Sequence, residues 1–200
     1  LIAEKFQETT RELPCAVAFL GNPGREFTAS RHNFGFQLAS VWQLTSQLVW
    51  QSKFKGLWAQ ATLEEGKVFL LQPQTFMNLA GESLRAAGEF FKLPADGWIV
   101  VHDDLELGFG EIRMQRGGGL GGHNGLRSVK QHLGTDQFYR LRLGIGRPTR
   151  GDVAAFVLGN FSREEVFEIP RVLARAGMLL ESTLREGFPS QSASVRKPSS

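Results

Sequence analysis

A single cysteine, Cys15, is the whole thiol complement of this 200-residue chain, so no disulfide can form within it. Cys15 opens the apolar run Cys15-Ala16-Val17-Ala18-Phe19-Leu20 and reads as a small buried hydrophobe. Thiol scarcity fits a reducing compartment. No apolar run approaches the roughly 18 residues that a membrane span needs, so no membrane association is expected. Residues 1–12 mix charges of both signs and lack the apolar core of a secretory signal. The chain has no internal repeat and no linker. Its four histidines, His32, His102, His123 and His132, show no zinc-ligand spacing with acidic or thiol partners, so neither metal nor cofactor is expected. No serine or cysteine stands in a nucleophile context. The glycine-dense stretch 117–125 lacks the Gly-Lys-Ser/Thr ending of a Walker-type phosphate loop. It also lacks the strand–helix start and later acid of a dinucleotide site.

What is present is a foldable apolar pattern. With 42% hydrophobic residues, 200 residues can bury one good core, which predicts a single domain. Short apolar runs at 15–20, 98–102 and 138–145 read as buried strands, with residues 111–115 as a further strand. Strands over 56–63 and 68–72 flank the turn Glu64-Glu65-Gly66-Lys67 as a hairpin. A helix is predicted from Asn33, as its N-cap, to about Leu48. Leu84, Ala87 and Phe91 mark a second helix, and Leu126, Val129 and Leu133 a third that opens from the glycine-rich loop. Ser162-Arg163-Glu164-Glu165 is a capping-box pattern that starts a helical region to about Arg185, with a kink or a break into two helices predicted at Pro170. The fold class is therefore α/β, one mixed and mainly parallel sheet with helices on both faces. The domain spans 14–188, after an extension at 1–13 that carries no interpretable motif. The tail 189–200, rich in Ser, Pro, Arg and Lys, is expected to be mobile.

Charge is segregated along the chain. From Arg113 to Arg150, eight Arg and Lys stand against Asp136 alone, +7 in a chain whose net charge is +3, leaving −4 elsewhere. Such an excess suits an anionic partner, and Arg suits phosphate in particular. Charge alone does not separate that reading from a solvated surface. The polar groups at strand ends are more pointed. Asn-Pro-Gly (22–24) ends the first strand, and the same loop carries His32 and Asn33. Asn78, Asp103, His123 and Asn124 follow later strands, which in a mainly parallel sheet gather at one edge. A neutral imidazole can take a proton from water near pH 7. A carboxylate orients it, and amides can donate to an oxyanion. Each group also has a structural reading: His32 as a helix-capping or buried histidine, Asn78 as a cap, Phe76 and Met77 as core, and Asp104 as a solvated neighbour of Asp103. His123 is open between substrate contact and shaping the glycine loop.

The motifs Gly-Asn22-Pro-Gly, Arg31-His32-Asn33, Phe76-Met77-Asn78, His102-Asp103, Gly-Gly-His123-Asn124-Gly and Arg140-Leu-Arg142-Leu-Gly-Ile-Gly, in this order and over 14–187, resemble the bacterial-type peptidyl-tRNA hydrolase family. The resemblance implies hydrolysis of the ester between a peptide and the 3′-terminal ribose of tRNA, with peptidyl-tRNA as partner and a monomeric enzyme. It implies a cytoplasmic location, or an organellar one after removal of a transit peptide. By the same resemblance His32 is the catalytic base and Asp103 its partner. Asn22, Asn78 and Asn124 position substrate, and Arg142 contacts tRNA. Phe27, Phe76, Met77 and His123 complete the substrate site. Phe27 stands where the family commonly carries Tyr, Leu120 where a His is often found, and Gln115 where a basic residue is common. Two other readings share these residues: an RNA-binding descendant of the fold, like plant intron-splicing factors, and an esterase acting on small substrates.

Overall fold

The computed structural model describes residues 15–187 and 194–195. The extension at 1–13, and all of the 189–200 tail except 194–195, lie outside the described residues. Strand β1 (Ala16–Phe19) is fully buried and alternates between two packed faces. Helices α1 (Phe34–Val41) and α2 (Gln43–Ser46) follow, then β2 (Gln51–Lys53), β3 (Gly56–Leu63) and β4 (Gly66–Pro73). Next come α3 (Ala80–Phe91), β5 (Trp98–Asp104), β6 (Ile112–Arg116), α4 (Asn124–Leu133) and β7 (Tyr139–Gly144). The described chain closes with α5 (Val153–Leu158), α6 (Arg163–Glu186) and the two-residue β8 (Ser194–Val195), which pairs with β6.

The sheet order is β2-β3-β4-β1-β5-β7-β6-β8. Its centre, β4, β1, β5 and β7, is parallel, and the flanks are antiparallel. Val17, Phe19, Ile99 and Val101 pack on one side with Leu38 of α1 and Leu173, Ala176 and Leu180 of α6. Ala16, Ala18, Trp98 and Val100 pack on the other with Leu84 of α3 and Val129 of α4. Alternate residues of the central strands thus serve opposite cores, which is why these strands read as continuous apolar runs. None of the described helices is long and apolar enough to cross a membrane.

Two predicted helices differ. The helix expected over 33–48 breaks at Trp42, whose backbone is extended at ψ 127°. The indole turns into the core against Phe19, and a Cβ on Gly177 of α6 would stand 2.8 Å from its ring. Thr45 Oγ1 lies 2.6 Å from the carbonyl oxygens of both Ala39 and Trp42; Trp42 O already accepts from the N–H groups of Thr45 and Ser46, so the one hydroxyl proton can serve Ala39 O at the break. Burial of one large side chain outweighs the gain from continuing a short helix. Conversely, α6 runs unbroken through Pro170. Pro170 lies on the exposed side, where solvent can hydrate the carbonyl of Val166 that loses its donor. The capping box forms as the sequence indicates, with Ser162 and Glu165 bonded reciprocally.

Candidate active site

The strands β1, β4 and β5 end on the same edge of the sheet, and their loops surround a cavity of about 790 Å³. A 3-10 turn, Arg31–Asn33, brings the first loop back over this edge just before α1. Gly35 makes the approach possible: a Cβ there would meet the carbonyl oxygens of Leu20 and Val101 at 2.5 and 2.8 Å. Asn33 occupies the predicted N-cap position, but its side chain does not cap. Instead its Oδ1 accepts from Asn22 N at 2.8 Å and its Nδ2 donates to Asn22 O at 2.9 Å. The two ends of the loop are thereby joined across eleven positions.

His32 and Asp103, 71 positions apart, meet at 2.9 Å between Nδ1 and Oδ1. Both are buried, His32 on the cavity wall and Asp103 at the end of β5. His123 Nε2 lies 3.0 Å from the same oxygen, a contact that no sequence spacing announced. Burial alone would raise the Asp103 carboxyl, but the His32 and His123 imidazoles outweigh it and hold the group far below the usual carboxylate range. An ionised carboxylate only accepts, so His32 carries its proton on Nδ1 and His123 on Nε2. His123 Nδ1 accepts in turn from the backbone N–H groups of Gly125 and Leu126 at 3.1 and 3.3 Å, capping α4. Both nitrogens of His123 are therefore occupied. His32 Nε2 has no hydrogen-bond partner among the described residues and is free to accept a proton.

His102 also borders the cavity, and the sequence did not mark it as a site residue. Its Nδ1 donates to Asp103 O at 2.7 Å, and its ring packs edge-on against His123 at 5.1 Å between centroids. Burial, reinforced by His123, pushes its pKa down to about 3. A folded-state value below the ordinary ~6.5 means that the unfolded chain binds the extra proton. Stability from this group is thus full above about pH 6.5 and declines as pH falls towards 3, at up to ~1.4 kcal/mol per pH unit. Urea unfolding at pH 7 and pH 5 is expected to give the parent a larger acid loss than His102→Asn, by about 2 kcal/mol. Equal losses would remove His102 from the acid response.

The three amides border the same cavity. Asn22 Oδ1 accepts from Met77 N at 2.8 Å, a bond that leaves Nδ2 to donate elsewhere. Asn124 Oδ1 accepts from Arg127 Nη2 at 2.7 Å, a bond that likewise leaves its Nδ2 to donate elsewhere. Asn78 is exposed at the rim and caps no helix. Met77 is buried, whereas Phe27 is partly and Phe76 largely exposed; all three line the cavity. The wall opposite comes from α5, through Val153, Ala154, Val157 and Leu158. No sequence motif marked that helix.

Arg142 is the one predicted site residue that does not line this cavity. Its Nε donates to Asp104 Oδ2 and its Nη1 to Gln115 Oε1, each at 2.7 Å, leaving Nη2 without a partner among the described residues. Asp104 is correspondingly an ion-pair partner rather than a solvated neighbour. Burial works to raise the Asp104 carboxyl, and the bond from Arg142 prevails and lowers it. His32, Asp103 and His123 are also the described residues that could hold a metal ion, with ligand atoms within 4.8 Å of one another.

The family model described as peptidyl-tRNA hydrolase matches residues 16–200. The chain belongs to the peptidyl-tRNA hydrolase family. The peptidyl-tRNA hydrolase of Geotalea uraniireducens is 47% identical over 174 residues, covering 86% of this chain and 91% of the relative. That of Trichlorobacter lovleyi is also 47% identical, covering 86% and 90%. The crystal structure of peptidyl-tRNA hydrolase from Acinetobacter baumannii superposes with a TM-score of 0.75 at 32% identity, over 88% of this chain and 93% of that one. The α/β architecture expected from the strand pattern is thus the architecture of the peptidyl-tRNA hydrolase family.

Proposed function

We propose that this chain hydrolyses peptidyl-tRNA by direct attack of a water molecule that His32 activates. The observation that carries the reading is the division of roles among three imidazoles around Asp103. His102 has only a buried Nε2 left over, and His123 has both nitrogens engaged. Only His32 combines an oriented Nδ1–H with an available Nε2. In the proposed step His32 Nε2 takes the proton as water oxygen bonds to the ester carbonyl carbon. Asp103 stabilises the imidazolium that forms. Nδ2 of Asn22, with Asn78 or Asn124, donates to the oxyanion. Collapse of the tetrahedral intermediate breaks the bond to the ribose oxygen, which takes the proton back from His32, giving free tRNA and the peptide acid.

The apolar groups Phe27, Phe76, Met77 and Val157 suit variable amino-acid side chains next to the ester. Exposed cations beside the cavity, Arg127 and Arg147, with Nη2 of Arg142, suit the phosphates of the tRNA. Every group invoked comes from one chain, so the reading needs no second copy. A substrate that is a product of translation suits a location where ribosomes work, in the cytoplasm or an organelle. An intact base, carboxylate and cavity support an enzyme over an RNA-binding descendant of the fold.

Incubation with peptidyl-tRNA should release free tRNA and peptide, and failure to do so would overturn the proposal. The rate on a short 3′-terminal peptidyl fragment, which needs no Mg²⁺ to fold, should survive exhaustive dialysis against a chelator. Loss of that rate, with recovery on adding a divalent ion, would replace the imidazole–water mechanism with a metal-activated one.

A further inference from the structure

Arg31 precedes His32 in the same 3-10 turn, yet its side chain leaves the cavity and enters the junction between α5 and α6. It is 8% exposed. Its Nη2 meets Glu165 Oε2 at 2.7 Å, and its Nη1 donates to Asn160 O. Its guanidinium carbon lies 4.3 Å from the Phe156 ring centroid and 5.2 Å from that of Phe161. The backbone takes part too: Arg31 N donates to Gly159 O at 3.0 Å, and Ser30 bridges to Asn160. Glu165 is simultaneously the acceptor of the α6 capping box. One side chain therefore ties the turn that holds His32 to the end of α5 and to the start of α6.

Helix α5 needs such a tie. It has six residues, none of them buried, and a helix this short is not stable in isolation. Val153, Ala154, Val157 and Leu158 face the cavity, while Phe156 on its other side meets the guanidinium. Without the Arg31 side-chain contacts, this wall would rest on the Asp152 N-cap, the partial packing of Phe156 and Val157, and the backbone ties of Ser30 and Arg31 to residues 159–160.

We infer that Arg31 is a positioning residue which fixes the α5 wall of the cavity relative to His32, and so sets the fit of the substrate's acyl portion. The inference rests on the hydrolytic reading above for its kinetic arm only. Arg31 touches neither Asp103 nor the free Nε2 of His32, so its effect is on where the substrate sits and not on proton transfer. Phe156 presents the other half of the same contact and does not line the cavity.

The test uses the full chain with Arg31→Gln, Arg31→Lys and Phe156→Ala, and the double variant of Arg31→Gln with Phe156→Ala. Hydrogen exchange comes first, because it does not depend on activity. Arg31→Gln and Phe156→Ala should each raise amide exchange selectively over 153–160, with the strand amides of β1 and β5 unchanged. On a short peptidyl-adenosine ester, KM should rise roughly tenfold in both, as expected for loss of a desolvated cation–π contact. The pH profile of kcat should keep its shape, Arg31→Lys should recover part of the KM loss, and the double variant should be no worse than the poorer single one. Unchanged exchange over 153–160 would overturn the inference even if hydrolysis itself proves to be the activity. So would additive KM effects, or a shifted pH profile. Should Arg31→Gln fail to fold, Phe156→Ala, altered on a half-exposed helix, decides alone by the same exchange and KM criteria.

Discussion

Replacing His32 with alanine is expected to slow hydrolysis of peptidyl-tRNA by about 100- to 10,000-fold, the usual worth of a positioned general base. On the proposed mechanism the loss should fall on kcat, because the base acts on the attacking water while the cavity walls and exposed cations proposed to hold the substrate are untouched. Removal of the imidazole also leaves Asp103 with one partner in place of two, but His123 still donates to Oδ1. Binding of tRNA and a cooperative thermal melt should therefore survive. Single-turnover rates and a binding titration on the same preparation separate the outcomes. Near-parental turnover would remove His32 from the chemistry, and a collapsed melt would give it a structural role instead.

The second large effect is expected at Asp103. Asparagine retains an oxygen that can accept from His32 Nδ1 and His123 Nε2, but it lacks the charge that stabilises imidazolium, and kcat should fall by about 10- to 10,000-fold. Its amide hydrogens also introduce donors into a buried position between two rings, and in the flipped orientation they would force His32 into the opposite tautomer. The acid limb of the kcat profile should move to lower pH, since the nearby charge that favours the protonated ring is gone. A profile superimposable on the parent's would show that Asp103 is not the partner in catalysis. Asp103→Ala distinguishes the two contributions: it should be no less impaired than asparagine if orientation of the ring matters beyond charge.

Much of this site could be read from the sequence because its parts are local. The buried strands declared themselves as apolar runs, the turn residues ended them, and Ser162 with Glu165 marked a helix start. The polar groups placed by those strand ends, including His32, Asp103 and Asn22, then had to converge. What escaped was decided by contacts between distant residues. Trp42 looked like one more helical position until the core offered its ring a place beside Gly177. His123 was ambiguous because its role depends on Asp103, twenty positions away. Arg142, expected from the resemblance to contact tRNA, has two of its donors taken by Asp104 and Gln115. Helix α5 carried only end signals, Asp152 before the apolar run 153–158 and Gly159 after it, and six residues are too few for a periodicity to stand out.

The bond pair between Asn22 and Asn33 has a mechanical consequence. The side-chain amide of Asn33 offers Asn22 one donor and one acceptor, as an adjacent strand would, and closes the loop into a ring. Asn22, the proposed oxyanion donor, and His32, the proposed base, sit at the two ends of that ring, so the closure limits how far they can part. Thermal displacement of the loop then changes the spacing between them less, so part of the energy needed to bring base and donor into register is removed before any substrate arrives. An asparagine that makes no contact with the reacting atoms would in this way act as the gauge that sets the distance across them.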